Sequence, residues 1–188
     1  MGSKFYAFAF PVTTEEDIAT NIDALRKRFH DARHHCYAYI LGLEDQHFKA
    51  SDDGEPGHSA GDPILGQIRS FGLTNTLVVV VRYFGGTKLG IGGLTKAYKT
   101  AAQEALMGAK IREIWPTVAF NITYAYDQTN VVERLIGGKG IQISDREFAE
   151  ACHITGNVRK DLSKALFSQF EDAGISMQLI DPSDDSHP

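Results

Sequence analysis

Apolar residues recur along the chain at two spacings, every second position in some stretches and every third or fourth in others, and the switches between them mark out the elements. Residues 4–12, KFYAFAFPV, are aromatic-rich and end at Pro11, which predicts a strand closed by a turn. In TTEEDIATNIDALRKRF, Ile18, Ile22, Leu25 and Phe29 share one helical face. Thr13 or Thr14 is its expected cap, and acids fill its first turn and Arg26, Lys27 and Arg28 its last, as the helix dipole favours. HHCYAYILGL and HFKASD read as paired strands around a turn at Glu44-Asp45-Gln46. PILGQIRSFG is a short helix with Asp62 as expected N-cap, Pro63 at the first helical position and Gly72 as its stop. NTLVVVVRYF is apolar at consecutive positions, the mark of a strand covered on both faces in mid-sheet. LTKAYKTAAQEALMG, rich in Ala and other good formers, is a helix that closes at Gly108.

After Trp115-Pro116 the pattern restarts. TVAFNITYAY alternates as a strand, QTNVVERLIGG is a helix, IQISDREFAEACHITGNV a hairpin, DLSKALFSQFEDAG a helix capped by Asp161, and ISMQLI a last strand. Strand-helix-strand-strand-helix-strand is the ferredoxin-like order. The expected fold class is α+β, with an N-terminal domain over residues 1–115, a ferredoxin-like domain over 116–182 and a polar tail over 183–188.

A chain of 188 residues, 43% hydrophobic and 23% charged, is ordinary for a globular protein, and its net charge of −5 argues against a general nucleic-acid binder. The distribution of charge says more. Up to Pro116, 13 basic residues balance 13 acids; beyond it, 6 face 11. From Pro63 to Gln103 the chain carries Arg69, Arg82, Lys88, Lys96 and Lys99 and no acid, a local cation field in an acidic protein. No apolar run nears the roughly 18 residues of a membrane helix. The first residues lack the basic and apolar blocks of a secretory signal, so a cytoplasmic protein without membrane contact is expected. Cys36 and Cys152 lie far apart without a CxxC spacing and read as buried thiols rather than a disulfide or zinc site.

The cations cluster around RYFGGTKLGIGGLTKAYK, in which Gly85, Gly86, Gly90, Gly92 and Gly93 fall within nine positions. A glycine-rich turn between a strand and a helix leaves main-chain N–H groups uncovered, and the helix N-terminus adds a field that favours an anion. Lys88 can reach a phosphate as a mobile point charge and Arg82 as a two-pronged donor. The candidate anion- or nucleic-acid-binding set is therefore Arg82, Tyr83, Phe84, Gly85, Gly86, Lys88, Gly90, Gly92, Gly93, Lys96 and Lys99. The segment matches neither G-x-x-x-x-G-K-[ST] nor G-x-G-x-x-G, and a turn built for close helix–strand packing fits it as well.

A second cluster, Asp52, Asp53, Glu55, His58 and Asp62, lies in SDDGEPGHSAGD. Such carboxylates can hold Mg²⁺ or Ca²⁺, do acid–base work, cap and turn the chain, or pair with the cations of residues 82–99. The calcium-loop pattern is absent, and no metal or cofactor is expected. His34-His35-Cys36 invites a Cys–His nucleophile, but strand alternation turns His35 away from Cys36, leaving His35 as a buried or ligand-facing polar residue.

HHCYAY, SDDGEPGHSAGDPIL and NTLVVVVRYFGGTKLGIGGLTKAY together resemble the YigZ/IMPACT family, bacterial two-domain type. The resemblance implies an IMPACT-type N-terminal domain similar to domain four of elongation factor G and a C-terminal domain similar to its ferredoxin-like fifth. It also implies a signature over His35, Cys36, Asp52, Asp53, Gly54, Glu55, Pro56, Ala60 and Gly61, then Arg82–Gly86, then Lys88, Leu89, Gly90, Gly92, Gly93 and Leu94. This chain departs from it at His58-Ser59, where the family reads Gly-Thr. Relatives often carry about twenty residues ahead of this start; whether a first sheet-edge strand is missing here is open, and its absence would expose an edge able to pair with another chain.

The function expected from these residues and that resemblance is a non-enzymatic regulator linked to translation, binding RNA, a ribosomal surface or a translation-regulatory protein through the basic loop. The alternative is an enzyme on a small phosphorylated or anionic ligand, with the carboxylate loop as acid/base or Mg²⁺ site. A pure protein-binding module is the third reading. Oligomeric state is open.

Overall fold

Leu77–Val81 runs through the middle of a four-stranded antiparallel sheet, with every residue of the run buried. The structure, a computed structural model, describes residues 2–43, 47–149 and 151–180; the turn expected at Glu44-Asp45-Gln46 and the tail over 183–188 lie outside the described residues. In chain order the first elements are β1 (Lys4–Pro11), α1 (Glu15–Arg28), β2 (His34–Leu41), β3 (His47–Ser51), α2 (Gly61–Ser70), β4 (Thr76–Tyr83) and α3 (Gly90–Met107). The sheet order is β1-β4-β2-β3, so β1 is an edge strand.

Strand alternation divides the apolar residues of β2 and β4 between two layers. Cys36, Ala38, Ile40, Val78 and Val80 meet Ile64, Leu65 and Ile68 of α2 and Leu94, Tyr98, Ala102 and Leu106 of α3. On the other face Tyr39, Leu41, Leu77 and Val79 meet Ile18, Ile22 and Leu25 of α1. Thr14 caps α1 in a reciprocal box with Asp17, so the expected cap, helix face and dipole pattern all appear.

Two helix starts among these elements differ from expectation. α2 begins at Gly61 with Ala60 at the cap, and Asp62 lies inside its first turn. The orphan N–H groups there find their acceptor in Asp52, far back along the chain: its Oδ1 accepts from Ala60 N at 2.9 Å and Gly61 N at 2.8 Å. α3 begins at Gly90, four residues before Leu94, so Gly90, Gly92 and Gly93 belong to a helix rather than to a turn. Glycine is a poor helix former, and packing of Leu94 and Tyr98 into the core outweighs that propensity.

The chain divides into two units, Met1–Ile111 and Arg112–Pro188. The second contains β5 (Thr117–Tyr124), a 3₁₀ turn (Tyr126–Gln128), α4 (Thr129–Ile136), β6 (Ile141–Phe148), β7 (Cys152–Arg159), α5 (Lys160–Asp172) and β8 (Ser176–Ile180). Its sheet order, β6-β7-β5-β8 with antiparallel neighbours, is the ferredoxin-like arrangement, so the α+β fold expected from the element order is present. Phe120, Ile122, Ile154, Val158, Leu166 and Phe170 fill its core. Asp161 does not cap α5; Arg159 precedes the helix, and its guanidinium pairs with the Asp161 carboxylate at 2.6 Å. Among the described residues no helix is long and apolar enough to cross a membrane.

Candidate functional site

Cross-strand register brings the two sequence clusters together. Phe5, Arg82 and His34 stand opposite one another on β1, β4 and β2 and so point to one side of the sheet, the α2/α3 side that also holds Cys36. Glu55 enters this side from the β3–α2 loop. Its Oε1 accepts from Arg82 Nη1 at 2.6 Å and from Tyr98 Oη at 2.8 Å, with His34 Nε2 4.0 Å away. Arg82 also donates to Ser3 Oγ at 3.2 Å, and its guanidinium lies 5.6 Å from both the Phe5 and Phe84 rings. Its Nε is buried without a partner. Residues 52–62 and 82–98 therefore meet, and the meeting withdraws Arg82 from the exposed cations: the guanidinium is spent on the protein's own carboxylate.

The remaining acids of the loop also serve the fold. Burial disfavours the Asp52 anion, but hydrogen bonds from Gly61, Ala60 and His58 N–H outweigh it and hold the carboxyl below the usual range. Asp53 Oδ2 accepts from His35 N at 2.6 Å and Oδ1 from Arg26 Nη2 at 3.4 Å. Among the described residues, no three His, Cys, Asp or Glu side chains form a group able to hold a metal ion. His58 adopts φ +62, a left-handed conformation suited to the glycine that the family pattern carries there, and its Nδ1 is 2.7 Å from Asp62 Oδ2.

Cys36 is fully buried on the face opposite His35, as alternation requires. Its thiol donates to Asp52 O at 2.9 Å and lies 3.3 Å from Tyr98 Oη; burial pushes it up to about 12, so it stays a thiol and not a nucleophile. Burial likewise raises Tyr98. His35 is buried, and its Nε2 has no hydrogen-bond partner.

The glycine segment combines packing and openness. A Cβ on Gly85 would stand 2.1 Å from the Gly2 carbonyl carbon, so this glycine is required by close approach of the N-terminal segment. Its N–H donates to Ser3 Oγ at 3.3 Å. Gly86, at φ +88, turns the chain outward, where a Cβ would meet nothing within 4 Å. From Gly86 to Leu89 the N–H groups have no protein acceptor among the described residues, and Leu89 offers no side-chain cap to α3. Lys88, Lys96 and Lys99 are exposed, and among the described residues none lies in an ion pair. Lys96 and Lys99, three residues apart, share one side of α3.

Tyr83 and Phe84 lie just before the turn. Tyr83 Oη donates to Asp31 Oδ1 at 2.6 Å, a bond that raises the phenol and lowers the carboxyl, while Phe84 is exposed. Asp31 and the rings of Tyr6 and Phe29, which join Tyr83 in this corner, are outside the sequence-derived set. The sequence signal for the two rings is the aromatic content of β1 and Phe29 just after α1; Asp31 has none.

Residues 1–106 match the family model of the Impact N-terminal domain. The chain is similar to the IMPACT family member YigZ of Escherichia coli (strain K12), at 39% identity over 118 residues, 62% of this chain and 58% of that protein. It is 43% identical over 124 residues to the IMPACT family member in pol 5'region of Thermus thermophilus, covering 65% of this chain and 66% of that one. An IMPACT family member of Haemophilus influenzae is 28% identical over 180 residues, 95% of this chain and 87% of its own. The matched stretch thus spans 58% and 66% of the first two relatives, short of two thirds of their length. A crystal structure described as that of a hypothetical protein superposes with a TM-score of 0.66 at 29% identity, over 97% of this chain and 90% of its own. With more than half its length matched by that one model, the chain belongs to the Impact N-terminal domain family.

Proposed function

We propose that the chain is a non-enzymatic regulator linked to translation, whose basic segment from Gly86 to Lys99 binds RNA, free or on a ribosomal surface. The observation that carries this reading is the run of N–H groups from Gly86 to Leu89 without an acceptor among the described residues, which includes Lys88 and leads into α3, where Lys96 and Lys99 are likewise exposed and outside any ion pair among the described residues. Turn and helix-start N–H groups offer fixed donors to phosphate oxygens, and lysines add mobile charge around them. Tyr83 and Phe84 supply aromatic surface for bases. Arg82 supports the site from behind, through Phe84, rather than touching the ligand. The regulatory role follows the family resemblance.

Anisotropy of a labelled single-stranded RNA at low salt tests the reading. Exchanging Lys88, Lys96 and Lys99 together for Ala should weaken binding by about tenfold or more; unchanged affinity overturns it. Exposed Leu89 and Ile91 beside Lys88 favour a second reading, a translation-factor partner that packs on apolar side chains. That reading expects Ile91→Ser, and not the lysine exchange, to abolish association with the partner, and RNA alone not to bind. The enzymatic alternative draws less support, because Asp52, Asp53 and Glu55 spend their oxygens on the fold.

A further inference from the structure

Where β1 begins and β4 ends beside the glycine turn, a cleft of about 370 Å³ opens between Lys4, Tyr6, Phe29, Asp31, Tyr83 and Phe84. That volume lies within the roughly 300–1,000 Å³ of small-molecule sites. We propose that this cleft holds one unpaired guanine base of the bound RNA, a proposal that rests on the RNA-binding reading above.

The walls are aromatic and open to solvent. Tyr6 is 42% and Phe84 51% exposed, a large apolar area to leave in water unless something covers it. The Tyr6 ring stacks near-parallel to Phe29, with centroids 6.1 Å apart at 15°, and meets Tyr83 edge-on at 6.0 Å and 88°. These contacts fix the rings before any ligand arrives. The Phe84 ring is backed at 5.6 Å by the Arg82 guanidinium, which Glu55 and Ser3 hold in turn. A rigid ring loses little freedom when a flat partner stacks on it. The N–H groups without an acceptor among the described residues begin at Gly86, next in the chain to Gly85 of the cleft lining.

Asp31 selects the base. It is the acid of the cleft, and the Tyr83 hydroxyl on its Oδ1 favours the ionised, acceptor-only form. A carboxylate repels phosphate and accepts from a base edge. Guanine presents two adjacent donors, N1–H and the N2 amine, to such a group; uracil has one ring N–H between two carbonyls, and adenine and cytosine pair their amine with an acceptor. Lys4 also lines the cleft and brings a positive charge to it.

The test uses the full chain, a labelled oligouridylate, and the same oligomer with one central U replaced by G, A or C, all at one salt concentration. Wild type should bind the G-containing oligomer about tenfold more tightly than the others. Asp31→Asn should remove that preference, so that the G-containing oligomer binds no more tightly than oligouridylate. The triple lysine exchange should weaken all four oligomers alike. Equal affinity for G and U, equal affinity for G and A, or a G preference that survives in Asp31→Asn overturns the cleft assignment while leaving salt-dependent RNA binding intact. Failure of every oligomer to bind overturns the RNA reading and the cleft assignment with it.

Discussion

Arg82 Nη1 donates to Glu55 Oε1 across 2.6 Å, with side chains only 6% and 4% exposed. A buried pair is costly to break, because the surviving partner keeps its desolvation without its counter-charge. Glu55→Ala or Arg82→Ala alone should therefore lose about 3–5 kcal/mol in urea denaturation. The apolar double exchange Glu55→Leu with Arg82→Met should lose less than either single change. Additive losses would show that the two side chains act independently.

His58 bears a side chain in a backbone region that glycine enters freely. His58→Gly should raise the thermal midpoint by a few degrees at pH 8. The hydrogen bond that His58 donates to the Asp62 carboxylate, and then the carboxylate's charge, lift the His58 imidazole above its usual range. Stability from that pair is full below the unfolded value of 6.5 and fades as pH rises through the folded one. The gain from His58→Gly should thus shrink or reverse at pH 5.5, as thermal melts at the two pH values will show.

His35 has the opposite sign. Burial pushes its imidazole below the ordinary range; Asp53 opposes the shift and Arg26 adds to it. The unfolded chain takes up a proton near pH 6.5 that the folded chain refuses, so stability is full above that value and falls with pH below it. His35→Leu should flatten the fall in urea midpoint between pH 6.5 and 5; a slope equal to wild type contradicts the assignment.

Two glycines of one segment should respond in opposite directions. Gly85→Ala drives a methyl into the Gly2–Ser3 backbone and should destabilise by about 1–3 kcal/mol. Gly92→Ala, helical and facing open space, should stabilise by up to about 1 kcal/mol. Urea titrations of the two variants separate the packing role of Gly85 from the open helix start.

What the sequence makes legible is local. The Thr14–Asp17 box, the Ile18–Ile22–Leu25 face, the central position of β4 and the βαββαβ order follow from spacing alone. The alternation of His35 and Cys36 across β2 does too. The misses are contacts across long sequence distances. Asp62 sits where a local cap should be, yet Asp52 supplies the acceptor through a folded-back loop. Arg82 reads as a phosphate donor, and pairing of the loop acids with the cations of residues 82–99 is one of several open alternatives in the sequence; the register of β1, β4 and β2 brings Glu55 and Tyr98 around it. Asp31 carries no pattern at all; the fold brings it to Tyr83 from 52 residues away.

If the N–H groups and lysines after Gly85, without partners among the described residues, seat RNA phosphates as proposed, RNA affinity falls steeply with salt, and a salt titration reads this out. Three lysine–phosphate contacts on a single strand predict a slope of log affinity against log salt near −2, at about −0.7 per contact. With Lys88, Lys96 and Lys99 exchanged for Ala, the slope should approach zero. A wild-type slope near zero, or one that the exchange leaves unaltered, would contradict the account.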